Sequence, residues 1–165
     1  MNARIQSIIP ALGAAVEGGF FHGVYLLDGQ LWGEVTAPKA EGEISGAWLP
    51  DYIDVPNAAH DFDGLANTDA MAKAGSPIAK AAQALRIGGF DDWHIPARGG
   101  QLLQWANLKP LLAEAEAFPR AWYWSSTQHS RHDAFIQHFD DGFTYCYGKS
   151  WEGGRARAVR RFRIE

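Results

Sequence analysis

Cysteine is almost absent from this chain of 165 residues. Cys146 is the single one, so neither an intramolecular disulfide bond nor a cysteine-based zinc site can form. Long apolar runs are also missing, and no segment approaches the ~20 apolar residues that a membrane helix requires. The apolar stretch from Ile8 to Val16 is interrupted by Pro10 and Gly13, which is too weak a pattern for a signal peptide. We therefore expect no membrane insertion and no export by the general secretory pathway.

Positive charge is scarce as well. The chain has 15 Lys and Arg against 19 Asp and Glu, a net charge of −4, whereas a general nucleic-acid binder needs clustered cations. The basic cluster consists of Arg155, Arg157, Arg160, Arg161 and Arg163. These arginines alternate with apolar residues, which is typical of a strand. We expect no nucleic-acid partner, and we expect Arg157, Arg160 and Arg161 to pair with carboxylates such as Asp92 or Asp140.

Aromatic residues, by contrast, are plentiful. Seven Trp, five Tyr and nine Phe accompany an apolar content of 47% and a charged content of 21%. This composition can fill the core of one globular domain, and the length suits one domain. We expect the large rings of Trp93, Trp122 and Trp124 to lie in that core.

Strand patterns occupy the two ends of the chain, and helix patterns lie between them. The turn signal Asp28-Gly29 separates two runs, 20–27 and 30–37, and predicts a β-hairpin. Residues 38–66 are rich in Pro and Gly and predict a long ordered loop. After Pro119 the pattern predicts strands at 122–126, 134–139, 143–149 and 156–164.

Three helices are predicted in the middle of the chain. Asn67-Thr68-Asp69 is a suitable cap for the first, and Ser76-Pro77 for the second. The third should span 99–115, with an apolar stripe that includes Leu102 and Leu111 and a break at Pro110. This order predicts an α+β fold, an antiparallel sheet with two or three helices between amino- and carboxy-terminal β segments. Residues 18–165 form the single domain, and residues 1–17, with a short helix pattern, form an attachment arm.

Five short strings in this order carry a family resemblance: Asp63–Thr68, Asp92–Arg98, Asn107–Pro110, Tyr123–Gln128 and Arg157–Arg161. Together they resemble the Lcl C-terminal domain family over about residues 60–161. Family members often have Ser or Thr where Ala97 stands and acidic residues where Gly99 and Gly100 stand, a pattern that forms a capping box. The third helix has therefore lost its cap, and we expect it to begin late or to need a tertiary partner.

The resemblance implies a C-type-lectin-like fold and a role in recognition. Similar domains include the variable receptor-binding proteins of phages, so the implied function is that of a phage receptor-binding or tail-tip protein. The implied location is the virion tail, and the implied partners are a host cell-surface glycan or protein and other tail or fibre proteins. The alternative is a structural assembly protein of a tail or fibre.

Catalytic chemistry has little support in the sequence. A hydrolase would need a nucleophile with a base, or two convergent acids. The candidates are Ser125, Ser126, His129, His132, His138 and the pair Asp140-Asp141. None has a recognised motif context, and strand hydroxyls usually satisfy backbone groups. We predict that the protein is not an enzyme.

Calcium is the one cofactor that the sequence suggests. Asp61 and Asp63 lie close to Asn67 and Asp69, and oxygen ligands of this kind suit Ca²⁺. The alternative interpretation is that Asp63-Gly64 makes a turn and that Asn67 or Asp69 caps a helix. We favour the turn and the cap, and we predict no other cofactor.

The predicted ligand-binding residues are Tyr145, Tyr147, Trp151, His129 and Arg131. Tyr145 and Tyr147 alternate in a strand, and Trp151 lies in a stretch bounded by glycines. Exposed Tyr and Trp provide contact area at low entropic cost, as in antibody paratopes. We expect these residues to form one patch that stacks on a sugar or a protein side chain. The alternative is that the patch covers a subunit interface in a homo-oligomer.

Overall fold

A computed structural model describes residues 8–165, which contain nine strands and four α-helices. The strands are β1 (Ala15–Val16), β2 (Gly19–Leu27), β3 (Gln30–Thr36), β4 (Glu43–Ser45), β5 (Trp122–Gln128), β6 (Asp133–His138), β7 (Thr144–Gly148), β8 (Arg155–Arg157) and β9 (Val159–Arg163). The helices are α1 (Lys39–Gly42), α2 (Gly64–Ala74), α3 (Pro77–Gln83) and α4 (Arg98–Leu103). Short 3₁₀ turns cover Pro56–Ala58, Lys109–Leu111 and Glu114–Glu116, and a π-helical turn covers Gln104–Leu108.

The strands form two sheets. The first has the order β1-β2-β3-β9 and the second the order β4-β8-β5-β6-β7. All pairings are antiparallel except the short parallel contact between β5 and β8. The α+β class is therefore confirmed, whereas the expectation of one sheet is wrong.

The division into two sheets occurs within the last strand pattern, which predicts one strand over 156–164. The chain forms β8 in the second sheet and β9 in the first, with Ala158 between them. Ala158 donates its N–H to the Gly42 carbonyl at 3.0 Å and accepts the N–H of Ala37 at 2.9 Å. Because these bonds replace ladder bonds, the chain can leave one sheet and enter the other without losing backbone pairing.

The amino-terminal hairpin is confirmed. β2 and β3 pair through Asp28 and Gly29, whose φ angles of 50° and 77° are the positive values that a two-residue hairpin turn requires. Residues 1–7 of the proposed arm lie outside the described part. Residues 8–17 contain no helix; they include β1, which pairs with the edge of β2. The predicted long loop at 38–66 contains α1, β4 and the first turn of α2.

Helix α2 begins earlier than its predicted cap. Asp63 is the cap and accepts the N–H of Ala66 at 3.0 Å. Asn67 and Thr68 are buried inside the helix, where Asn67 bonds the backbone of His60 and Thr68 donates to Gly64. Tertiary contacts thus outweigh the capping preference of these side chains. Helix α3 has the predicted Ser76 cap, whose hydroxyl accepts the N–H of Ala79 at 3.2 Å.

Helix α4 obtains its missing cap from elsewhere in the fold. The Thr127 hydroxyl accepts the N–H of Arg98 at 3.0 Å, and the Asp61 carbonyl accepts the N–H of Gly99 at 2.8 Å. The expected tertiary partner is thereby confirmed. The predicted apolar stripe is wrong, since Leu102 and Leu111 are more than half exposed.

The buried face of α4 and of the π-helical turn after it carries polar side chains. Gln101 donates to the carbonyls of Tyr123 and Trp124, and Gln104 donates to the Thr36 hydroxyl at 3.0 Å. The two glutamine side chains thus supply hydrogen-bond donors to buried strand groups. A hydrophobic pattern in the sequence cannot reveal such contacts.

Large aromatic side chains fill the main core between the two sheets and α2 and α3. Trp48, Trp93 and Trp124 are fully buried there, while Trp122 is only half-buried. A second, smaller cluster of Phe118, Tyr123 and Phe139 lies on the opposite face of β5. Among residues 8–165, no helix combines the length and the apolar character needed to cross a membrane.

A buried ionisable cluster supports the first sheet. Glu34 accepts hydrogen bonds from His22 at 3.1 Å and Tyr25 at 2.9 Å, and His94 Nε2 lies 3.9 Å from its carboxylate. Burial alone would raise the pKa of Glu34, but the hydrogen bond from His22 and the charges of both histidines outweigh it and lower that pKa. Burial also lowers the pKa of His94, despite the attraction of Glu34.

Both shifts predict loss of stability in acid. Below the ordinary His pKa of 6.5 the unfolded chain protonates His94 before the folded one does, and below 4.5 the same holds for Glu34. We expect the free energy of unfolding to fall with pH by up to about 1.4 kcal/mol per pH unit per proton. Urea unfolding at pH 8, 6 and 4 measures this. His94→Gln should flatten the fall between pH 8 and 4, whereas exposed His60→Gln should not. Identical slopes would contradict the assignment.

Candidate functional site

An exposed row of aromatic rings lies on β7, the edge strand of the second sheet. Tyr145 pairs with Ile136 and Tyr147 with Ala134, so both tyrosines share a sheet face with these two core residues. Ile136 and Ala134 are buried, while Tyr145 and Tyr147 are 55% and 44% exposed. The row is therefore the place where the main core reaches the surface at the sheet edge.

A cleft of 220 Å³ opens beside this row. Its walls are the side chains of Trp122, Ile136, Tyr145, Tyr147 and Trp151. The ring centres of Tyr147 and Trp151 lie 4.9 Å apart and their planes are inclined at 65°, so these two walls form a corner. None of the five lining residues carries a charge at neutral pH. Their hydrogen-bonding groups are the tyrosine hydroxyls and the tryptophan indole N–H groups.

Close packing fixes Trp151. Its ring contacts buried Trp124 edge to face at 6.1 Å, and Trp124 donates its indole N–H to the Gly46 carbonyl at 3.0 Å. A Cβ atom on Gly154 would lie 2.1 Å from Trp124 Nε1, and one on Gly153 would lie 2.5 Å from the Trp151 ring. Only glycine lets the backbone approach both indoles so closely.

Lys149 anchors the loop that presents Trp151. Its side chain is fully buried, and its ammonium donates to the Ile53 carbonyl at 2.9 Å and to Gln128 Oε1 at 2.6 Å. The ammonium nitrogen also lies 4.9 Å from the Trp48 ring centre. Burial lowers the pKa of Lys149 to about 8, against the opposing attraction of Asp54 and Asp133. Sequence reasoning missed this residue because a lysine beside Gly and Ser resembles an exposed turn.

The predicted patch is only partly assembled. Tyr145, Tyr147 and Trp151 meet at the cleft, but His129 packs against Phe135 at 5.0 Å, and Phe135 alternates with Ile136 to face the other side of the sheet. Arg131 donates to the Tyr52 carbonyl at 2.9 Å and does not line the cleft. The expectation that all five residues form one patch is therefore wrong, because His129 and Arg131 lie outside it.

Three residues of the cleft and the adjoining row were not predicted as site residues. Trp122 and Ile136 line the cleft, and Phe143, which is 58% exposed, stacks near Tyr145 with ring centres 6.2 Å apart and planes at 25°. The period-two spacing of Phe143, Tyr145 and Tyr147 is the signal that could have identified Phe143. Trp122 and Ile136 resemble core residues in sequence, and the pairing of β5, β6 and β7 brings them to the cleft.

The candidate catalytic residues are dispersed among structural contacts. Ser125 donates to the Phe135 carbonyl at 3.0 Å, and Ser126 accepts from Asn67 at 3.3 Å. His132 stacks on Tyr52, and His138 lies against Trp122. Asp140 pairs with Arg120 at 3.1 Å, and Asp141 accepts the N–H of Phe143 at 3.0 Å.

Protein groups engage both calcium candidates. Asp61 binds the Arg98 guanidinium at 2.7 Å, and Asp63 caps α2 and binds Arg161 at 3.0 Å. Within the described range, no three His, Cys, Asp or Glu side chains form a group that could hold a metal ion. Of the two interpretations of this segment, the structure shows a cap at Asp63, not at Asn67 or Asp69.

The arginine string forms the expected ion pairs. Arg160 binds Asp92 at 2.5 Å, as predicted, and Arg157 binds Glu43 at 2.6 Å. The pairing with Asp140 is wrong, because the partner of Asp140 is Arg120.

No protein-family model matches the chain, and no curated protein matches it. Among solved structures it is similar to a fimbrial protein from Bacteroides ovatus ATCC 8483, with a TM-score of 0.46 and 11% sequence identity. The match covers 79% of this chain and 35% of that one, so the chain spans about a third of the fimbrial protein's length. The similarity is too distant to transfer a function, and membership of the Lcl C-terminal domain family stays a prediction.

Proposed function

We propose that this chain is a non-catalytic recognition domain that binds a host cell-surface glycan or protein through the aromatic cleft. The observation that carries the proposal is a group of exposed rings held rigidly around an uncharged cleft on an edge strand. Monomeric proteins rarely leave such rings exposed without a function. Tyr and Trp also bind with little loss of side-chain entropy, because they have few rotatable bonds.

Rigidity strengthens this argument. Trp151 packs on Trp124 in a loop that Lys149 anchors, and Gly153 and Gly154 allow the close approach of the backbone. Tyr145 and Tyr147 extend from a paired strand. A preorganised surface loses less free energy on binding than a flexible one. The close packing behind the cleft therefore serves binding as well as stability.

The wider assignment rests on the sequence strings. A C-type-lectin-like fold of the Lcl type is compatible with the observed α+β arrangement of two sheets and short helices. We propose a phage receptor-binding or tail-tip protein, located in the virion tail beside other tail or fibre proteins. The proposal includes no enzymatic activity, because Ser125, Ser126 and the histidines are used in structural contacts.

The second candidate is a structural assembly protein, in which the same rings form a subunit interface. An edge strand with unpaired backbone groups favours this candidate, because another chain can extend the sheet there. In that case the cleft is buried in the assembled homo-oligomer or fibre.

Binding of purified protein to intact bacterial cells tests the first candidate. Tyr145→Ser/Tyr147→Ser removes two exposed rings without opening the core, and we expect at least a tenfold loss of affinity, which is about 1.4 kcal/mol. The matched control is Leu26→Ser/Leu111→Ser, which removes two exposed apolar side chains elsewhere and should bind like the wild type. Circular dichroism establishes that each variant is folded.

Two results would favour assembly over recognition. One is the absence of wild-type binding to cells of a broad panel of strains. The other is a concentration-dependent oligomer, measured by sedimentation, that the tyrosine variant abolishes and the leucine control retains.

A further inference from the structure

The aromatic surface continues past the cleft. Phe143 stacks near Tyr145 and lies edge to face with Trp122, with ring centres 6.2 Å apart in each pair. Phe143, Tyr145 and Tyr147 follow one another at every second position, so the row spans roughly 13 Å along the strand. Trp151 adds a fourth ring beside Tyr147. The row, defined as these four residues, is longer than one sugar ring needs.

Two adjoining ligand positions result from this arrangement. The first is the cleft between Tyr145, Tyr147 and Trp151, whose 220 Å³ is below the roughly 300 Å³ at which drug-sized sites begin and suits one small ring. The second is the exposed surface that Phe143 and Tyr145 share next to the cleft. Tyr145 belongs to both positions, so a ligand that occupies both must be a chain of linked units.

The charge pattern selects against ionic ligands. The cleft lining offers no ionic partner, and a buried ligand charge without a partner costs free energy. At the Phe143 end, the exposed Asp141 carboxylate accepts the Phe143 N–H and lies 3.7 Å from His138. A carboxylate at this end repels acidic sugars but can accept hydrogen bonds from neutral hydroxyl groups.

A compact cation such as a quaternary ammonium is the main alternative, because aromatic cages bind such groups. A compact cation would fill the cleft alone, whereas the exposed rings continue past it to Phe143, whose ring centre lies 6.2 Å from that of Tyr145. Exposed rings at successive alternate positions of a strand offer apolar contacts to successive units of a sugar chain.

We propose that the row binds an uncharged linear polysaccharide, with Phe143 as a binding residue for a sugar unit next to the one in the cleft. This inference rests on the proposed recognition function and narrows its ligand to one class. The bound element is then a run of successive units within the polysaccharide, not a single terminal sugar.

Affinity electrophoresis tests the proposal, with soluble linear polysaccharides in the gel. The neutral probes are dextran, mannan, linear galactan and mixed-linkage β-glucan, and the acidic probes are alginate and polygalacturonate. We expect retardation of the wild type by at least one neutral polymer and by neither acidic one. We expect Phe143→Ser to weaken this binding about threefold to tenfold, the effect of losing one ring contact. Leu26→Ser, an exposed apolar change in the other sheet, should have no effect.

Competition measures the number of units bound. A tetrasaccharide of the retarding polymer should compete at least about tenfold better than its monosaccharide, because it fills both positions. Equal competition, full binding by folded Phe143→Ser, retardation by acidic polymers alone, or displacement by choline would each overturn the proposal. Retardation by no polymer while cells are bound overturns this inference and leaves the recognition function intact. Absence of both kinds of binding overturns both.

Discussion

Replacing Arg157 by methionine lowers the free energy of unfolding by about 3–5 kcal/mol, the cost of breaking a buried ion pair from one side. The Arg157 side chain is fully buried, and its Nε donates to Glu43 at 2.6 Å. Its guanidinium also lies 4.3 Å from the Phe118 ring centre and donates to the Glu116 carbonyl at 3.2 Å. The ion pair joins β8 to β4, and the bond to Glu116 joins β8 to the segment before β5, so the loss of Arg157 leaves a carboxylate poorly compensated and loosens the second sheet.

Chemical denaturation of Arg157→Met, Glu43→Gln, the double variant and one control variant checks this result. Arg163→Met, an exposed change in β9 of the other sheet, should alter stability by less than about 0.5 kcal/mol. Glu43→Gln/Arg157→Met should cost less than the sum of the two single changes, because neither partner then remains as an unpaired charge. A strictly additive double variant would show that the pair itself contributes nothing.

Replacing Trp124 by alanine lowers stability by about 3–5 kcal/mol, as expected for a fully buried large ring. It also removes the edge-to-face support of Trp151, so any folded fraction should bind the ligand at least tenfold more weakly. Thermal unfolding and the cell-binding assay measure the two effects separately. Trp32→Ala, a half-buried tryptophan in the other sheet, should cost less and leave binding unchanged.

Gly154→Ala disturbs the same contact without removing a ring. The new Cβ would meet Trp124 Nε1 at 2.1 Å, and the buried indole cannot move away without losing its bond to Gly46. Gly148→Ala is the matched control in this loop, because its Cβ would lie 3.3 Å or more from its neighbours. If Gly154→Ala were as stable as Gly148→Ala, the rigid support of the cleft would be disproved.

Local signals predicted much of the fold. The β2–β3 hairpin, the Ser76 cap and the β5, β6 and β7 strands follow from turn chemistry and alternation, which act over a few residues. Local sequence signals gave the wrong position where a group distant in the chain formed a competing contact. Asn67 and Thr68 have capping side chains, but burial against His60 and Ile95 places them inside α2.

The aromatic cleft shows the same division. Tyr145, Tyr147 and Trp151 stand out in the sequence as alternating or glycine-bounded aromatics, and the structure brings them together. His129 is close to them along the chain, but the alternation of β6 directs its contact, Phe135, to the opposite face. Lys149 gives no sequence signal at all, because its burial depends on Ile53 and Gln128 from other segments.

By itself, the sequence determined the α+β class, the hairpin turn, the strand alternation and the supply of aromatic side chains, all of which depend on neighbours a few positions apart. Only the tertiary structure decided that the last strand pattern divides between two sheets at Ala158 and that Thr127 caps α4. It also decided that Phe143 and Trp122 join the tyrosines. These outcomes depend on which distant groups compete for the same backbone bonds and buried space, and that competition is resolved only when the whole chain packs.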